Sequence, residues 1–175
     1  MGMVEVFISR IGYDASTETF VVILKEKVGE RVLAIWIGRP EAEAIVMRIH
    51  NIKHARPLTH DLCRNLIEAF GATMKRVQIT HVANSTFFAE LHLETNGTIR
   101  VIDTRPSDGI AVALRMEAPI FAADNLLSDP DQEADAGESL EATPRPSGEG
   151  TRLSAEELKA YLEKLRPEDF GDFKP

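Results

Sequence analysis

The sequence predicts an α+β fold: a mixed or antiparallel sheet with three packed helices, followed by a disordered linker and a short C-terminal helix. Three observations predict it. Short apolar runs of strand length open the chain. Two proline-led segments, at Pro40 and Pro106, carry apolar residues at helical spacing. Alternating segments flank Asn96-Gly97, a strong hairpin signal.

Taken in order, Val4-Glu5-Val6-Phe7-Ile8 begins a strand, and Phe20-Val21-Val22-Ile23-Leu24 is apolar on both faces. Arg31 to Ile37 is a second two-sided run, so both read as central strands covered on two sides. The chain then breaks at Gly38-Arg39-Pro40 and enters a helix burying Ala42, Ile45, Val46 and Ile49. Arg56-Pro57-Leu58-Thr59 announces a second helix, with Thr59 as its cap and Asp61 complementing the dipole. Leu62, Leu66, Ile67 and Phe70 form its apolar face, and Gly71 ends it. Val77, Ile79 and Val82 mark the next strand. Phe87, Ala89, Leu91 and Leu93 alternate with Phe88, Glu90, His92 and Glu94 in the one after, and Thr98–Asp103 follows the hairpin turn. A third helix runs from Pro106 through Ile110, Ala113 and Leu114 to Met116, and Pro119 separates it from a short strand at Ile120-Phe121-Ala122.

The composition changes at Ser128. Residues 128–150 hold seven acidic residues and three prolines, with only Leu140 as a large aliphatic. Such a stretch cannot offset an ordering cost of about 1–2 kcal/mol per residue, so it reads as a disordered linker. Ser154-Ala155-Glu156-Glu157 is a capping box before Leu158, Tyr161, Leu162 and Leu165, a short helix that needs something to dock on. The expected layout is one domain over 1–127, the linker over 128–150 and the terminal helix and tail over 151–175.

Composition narrows the functional classes. No apolar run reaches the roughly 20 residues that span a bilayer, and Met1-Gly2-Met3-Val4-Glu5 lacks a basic start, so a cytoplasmic protein is expected. The single Cys63 excludes a disulfide framework and a multi-cysteine zinc site. Residues 1–127 hold 14 Lys and Arg against 15 Asp and Glu, whereas 128–175 hold 6 against 13, so the net charge of −8 belongs to the tail. Strong nucleic-acid binders carry a basic excess, so any such binding here is expected to be weak and local. Phosphate-loop, Rossmann, serine-elbow and zincin signatures are absent. Two-sided apolar strands and helix faces rich in Ile, Leu and Val point to a homo-oligomer, a dimer or larger.

Polar residues crowd at three element ends. Glu41 and Glu43 lie roughly 200° apart on their helix, so they cannot grip one ion together and read as surface carboxylates. Arg56, Thr59, His60 and Asp61 form the second cluster. The third is Asp103-Thr104-Arg105-Pro106-Ser107-Asp108. Asp103 shares strand parity with Ile99 and Val101, which points it towards the apolar side, where a carboxylate needs an arginine or a metal. Ser107 and Asp108 can satisfy helix-start amides. His81 and His92 read as edge or surface residues, and Cys63 as a core filler.

These clusters carry a resemblance. Ile37-Gly38-Arg39-Pro40-Glu41-Ala42-Glu43-Ala44-Ile45, Arg56-Pro57-Leu58-Thr59-His60-Asp61-Leu62, Phe87-Phe88-Ala89 and Asp103-Thr104-Arg105-Pro106-Ser107-Asp108-Gly109 resemble, in order and spacing, the running motifs of the bifunctional nuclease family. The resemblance spans roughly residues 3–127 and implies a self-associating α+β domain, with cleavage of DNA and RNA known for some members. It carries over Glu41, Arg56, Thr59, His60, Asp61, Asp103, Arg105, Ser107 and Asp108, but not Glu43. The chain departs from the pattern at Gly109, where the family usually has alanine, and lacks the C-terminal helical hairpin of some relatives.

Two readings follow. In a metal-dependent nuclease, Asp61, Asp103 and Asp108, with Glu41 supporting, would offer oxygen ligands to Mg²⁺ or Mn²⁺. His60 would then be the proton acceptor, Arg56 and Arg105 the phosphate clamp, and Thr59 and Ser107 further substrate contacts. In a non-catalytic interaction or regulatory domain, the same groups would lock helices to the sheet of a homo-oligomer.

Overall fold

The computed structural model describes residues 2–14 and 19–130. Seven strands form one sheet in the order β3-β2-β1-β7-β4-β5-β6: β1 (Met3–Asp14), β2 (Thr19–Glu26), β3 (Val32–Ile37), β4 (Thr73–Ala83), β5 (Thr86–Thr95), β6 (Thr98–Thr104) and β7 (Ile120–Ala123). All neighbours are antiparallel except β4 and β7, which run parallel. The three helices are α1 (Arg39–Ile49), α2 (Thr59–Ala69) and α3 (Pro106–Met116). This is the α+β mixed sheet with three helices that the sequence predicts. The linker and terminal helix lie outside the described residues, except at 128–130. There Ser128 exchanges backbone hydrogen bonds of 2.8 and 2.9 Å with Val32, so it belongs to the sheet rather than to a linker.

The hairpin turns follow from local chemistry. Asn96 and Gly97 both take positive φ, 52° and 76°, as the expected turn requires. Asn84 and Ser85 do the same between β4 and β5. At the other end of the sheet, Arg31 hydrogen-bonds to Glu26 and Asp124 at 3.0 Å each, stapling the β2–β3 turn to the segment after β7.

The helices cover one face of the sheet. Phe20, Val22, Leu24, Leu33, Ile35, Val77, Ile79, Leu91 and Ala122 form the core beneath them with Ala42, Ile45 and Val46 of α1 and Ile110 of α3. Directly paired strand residues share a face, so the register assigns every other side chain. Leu91 pairs with Ile102 and Val77 on the helix side, whereas His92 pairs with Val101 and Arg76 on the open side. β3 is therefore an edge strand with one uncovered face, not a central strand covered twice, and Trp36 is 63% exposed. Ile49, at the last turn of α1, is also exposed.

α2 departs most from expectation. None of its residues is fully buried; Leu62, Leu66 and Phe70 face outward, in line with Leu58 one turn earlier, and only Cys63 and Ile67 pack against the core. Leu58, not Thr59, occupies its cap position, and the Asp61 carboxylate accepts the Leu58 N–H at 2.9 Å. Thr59 is exposed.

α3 is seated by a missing side chain. A Cβ placed on Gly109 would come within 2.8 Å of Val77 Cγ2 and 3.1 Å of Thr104 Cγ2, so glycine sets how closely the helix approaches β4 and the end of β6. Gly109→Ala should lower stability. The gain in helix propensity is at most about 1 kcal/mol, while overpacking a filled core costs typically 1–3 kcal/mol. Urea unfolding should show a lower midpoint with an unchanged slope.

Candidate functional site

The motif residues fall into two ionic systems at the helix ends. Pro40 and Pro106 each stand in the first turn of their helices, which fixes where the side chains after them project. Glu41 of α1 accepts from Arg105 Nη1 at 3.0 Å, Arg105 Nε donates to Asp108 Oδ2 at 2.6 Å, and Asp108 Oδ1 lies 3.0 Å from His60 Nε2. One unbroken chain, Glu41–Arg105–Asp108–His60, thus joins the N-terminal turns of α1, α3 and α2. With Asp108 accepting from Nε2–H, the His60 lone pair is on Nδ1. Arg105 is 66% exposed in its side chain, and its Nη2 has no bonding partner among the described residues.

The next residue of α2 begins the second system. Asp61 Oδ1 accepts from Arg115 Nε at 2.5 Å, and Arg115 Nη1 donates to the carbonyls of Ala44 at 3.1 Å and Ala111 at 2.9 Å. Arg115 is buried; its side chain touches all three helices. No sequence argument singles it out, because an arginine in the last turn of a helix ordinarily reads as a dipole complement. Its signal is positional: α3 is otherwise apolar between Gly109 and Leu114.

Both aspartates ionise more readily than usual. Burial alone would raise the Asp108 carboxyl, but hydrogen bonds from Arg105 and His60 outweigh it and hold it below the ordinary value. Asp61 is also lowered: burial opposes, while the Leu58 N–H and Arg115 prevail.

Several expected site residues lie elsewhere. Asp103 pairs across the sheet with Glu90, which places it on the open face and exposes it, away from the helix ends. It does share parity with Ile99 and Val101, but those three occupy the side that the helices leave uncovered. Asp61, Asp103 and Asp108 therefore do not surround a common point, and among the described residues no group of three potential metal ligands converges. A divalent ion shared by those three aspartates does not fit this arrangement. Arg56 is exposed and lines a separate cleft. Ser107 is buried beside Arg105, and Asp108 bonds side chains rather than helix-start amides. Glu43 is not a surface carboxylate: it is buried and bonded to Arg39 at 2.8 Å. His92, expected at an edge, is buried beside Glu90, whereas His81 is exposed and stacked on Phe88.

Two cavities flank the ionic systems. One, of about 250 Å³, is walled by Trp36, Glu41, Phe87, Arg105 and Ser107 between β3, the β4–β5 turn and the helix starts. The other, of about 380 Å³, lies beyond Asp61, between the end of α1 and the segment leading into α2.

Residues 22–135 match the family model described as the bifunctional nuclease domain. An uncharacterised protein of Mycobacterium tuberculosis is 38% identical over 155 residues, covering 86% of this chain and 87% of its own length. Bifunctional nuclease 2 of Arabidopsis thaliana is 28% identical over 132 residues, or 73% of this chain, which spans 40% of that protein. Bifunctional nuclease 1 of the same plant is 27% identical over 134 residues, with 41% of its length spanned. No helix among the described residues is long and apolar enough to cross a membrane.

The depressed aspartates make stability depend on pH in a defined sense. A carboxyl with a lowered folded pKa contributes stability that is present in full above the unfolded value, ordinarily 3.8, and is lost as pH falls through the folded value. The stability gap between the native chain and Asp108→Asn should therefore be widest near neutral pH and close below about pH 4. Urea midpoints measured from pH 7 down to pH 2.5 check this, and a gap that widens on acidification contradicts it.

Proposed function

Because the chain belongs to the bifunctional nuclease domain family, we propose that it hydrolyses phosphodiester bonds of DNA and RNA at the ends of its three helices. The observation that carries this reading is the Asp108–His60 pair beside a half-free arginine. Asp108 orients the His60 ring, and the Nδ1 lone pair takes a proton from water as the water oxygen bonds to phosphorus. The bond from phosphorus to the leaving sugar oxygen breaks, and that oxygen takes a proton from the ring or from solvent. Arg105 Nη2 donates to a non-bridging phosphate oxygen and stabilises the charge that builds there. Glu41 holds the guanidinium in register. These steps use the chain's own groups; dependence on Mg²⁺ or Mn²⁺ would need ligands other than the three aspartates together, and EDTA tests it.

Purified protein should cleave single-stranded DNA and RNA, with the effect of EDTA reporting any metal requirement. His60→Ala should cost about 10²–10⁴-fold if the ring acts in general base catalysis. Asp108→Asn should also depress the rate while the chain stays folded. Asp103→Asn should retain cleavage, since its carboxylate is on the other face of the sheet; its loss would move the site there. Cleavage that survives both His60→Ala and Asp108→Asn would overturn the proposal.

A second reading is favoured by a separate observation. Every ionic partner in the Glu41–His60 chain is another group of the protein, which is also how a purely structural lock is built. The exposed Leu58, Leu62, Leu66 and Phe70 along α2, with Trp36, Ile99 and Val101 on the open sheet face, leave apolar surface suited to a second copy. In this reading the protein is a non-catalytic homo-oligomeric interaction domain. Light scattering should then give a mass well above 19.4 kDa, and dilution should shift the emission of the single tryptophan, Trp36. A constant 19.4 kDa species across micromolar concentrations would exclude self-association.

A further inference from the structure

The larger cavity is lined by Arg48, Lys53, Arg56, Arg64 and Arg115, with Asp61 as its one acidic side chain. Asp61 is taken up by Arg115, at 2.5 Å. Arg48 and Arg64 have carboxylate partners, Glu117 and Glu68, that do not line the cleft. Lys53 and Arg56 have no ionic or hydrogen-bonding partner among the described residues. Two cations without a partner among the described residues, Lys53 and Arg56, therefore open on about 380 Å³, beside Arg48 and Arg64, whose charges Glu117 and Glu68 offset. Walls of low dielectric focus such a field and draw in anions. No Phe, Tyr or Trp lines the cleft, so base stacking on those rings cannot be the source of affinity, whereas guanidinium groups match phosphate oxygens in pairs.

We propose that this cleft is a phosphate-binding site, separate from the Glu41–Arg105–Asp108–His60 chain, and that it holds the backbone of a single-stranded nucleic acid. The anion site rests on the charges of the cleft, and the choice of a strand as its ligand rests on the nuclease reading above. The two systems meet at consecutive residues of α2: His60 belongs to one and Asp61 to the other. A strand held through its phosphates by Lys53 and Arg56 would run towards the helix ends where Arg105 is exposed. The body of the protein, residues 1–127, can thus bind a polyanion although its overall charge is near neutral.

The test is fluorescence anisotropy of the full chain with a labelled twelve-nucleotide oligo-dT in EDTA, from 50 to 200 mM salt. The native chain should bind, with log K falling linearly in log salt. The Lys53→Gln/Arg56→Gln pair should weaken binding about tenfold and flatten the slope by about 1.4, or about 0.7 for each phosphate no longer neutralised. Both side chains are exposed, so the melting temperature should hold; if it falls, Lys53→Gln alone should still flatten the slope. Unlabelled dTMP and inorganic phosphate are the competitors. Competition by dTMP at the oligonucleotide's own concentration would keep the site and overturn the strand as its ligand. No binding by the native chain, or an unchanged slope in the variants, overturns the site itself. Charge-dependent binding without any cleavage would leave the cleft standing and remove only the nuclease reading. Cleavage with an unchanged slope would do the reverse.

Discussion

One guanidinium sets the arrangement on which the rest depends. Arg115 bonds to a carboxylate of α2, a carbonyl of α1 and a carbonyl of its own α3. Stability in most helices comes from a buried apolar stripe, but α2 has no fully buried residue. It is held by the partial packing of Cys63 and Ile67 and by polar ties to α3, through Arg115–Asp61 and His60–Asp108. Removing a charge from a buried pair strands its partner, so such a tie tolerates little substitution even when its net contribution is modest. The ion-paired motif residues at the helix ends are thus committed to architecture.

That commitment explains both how far the site could be read from the sequence and where reading failed. The strands, the Asn96-Gly97 turn and the three helices were legible because period and turn chemistry are local. The faces were not. Asp103 follows Ile99 and Val101 in parity, and parity says which residues share a side without saying which side the helices cover. On a one-sided sheet that ambiguity inverts the answer. The same ambiguity hid Trp36 and His92, one exposed on an edge strand and the other buried by its neighbours. α2 misled for a different reason: its stripe of Leu62, Leu66 and Phe70 has a helical period, and period cannot tell a buried stripe from one left for another surface.

Of the nine residues carried over by motif, four close into one chain of ion pairs, Glu41, His60, Arg105 and Asp108, and Asp61 anchors the neighbouring one. Arg115, which no motif named, turns out to fix where Asp61 and hence His60 stand. Gly109 works in the same way through steric space, letting α3 sit close enough to β4 for Asp108 to meet His60. Both act on the site through the position of a helix rather than through contact with a ligand.

The charge arrangement also bears on what a phosphate would meet. Arg105 already satisfies two carboxylates, so a phosphate at its free Nη2 joins a network rather than neutralising a lone cation, and gains less for it. Lys53 and Arg56 carry no such prior commitment among the described residues. On the two proposals, binding and hydrolysis would be separable in this fold: uncommitted cations lie on one side of the α2 entry, and the Asp108–His60 pair lies on the other. The peptide bond from His60 to Asp61 joins the two sides within α2, and Arg115 fixes its position. A strand drawn in by charge on one side would be presented to the ring on the other without either group having to serve both ends.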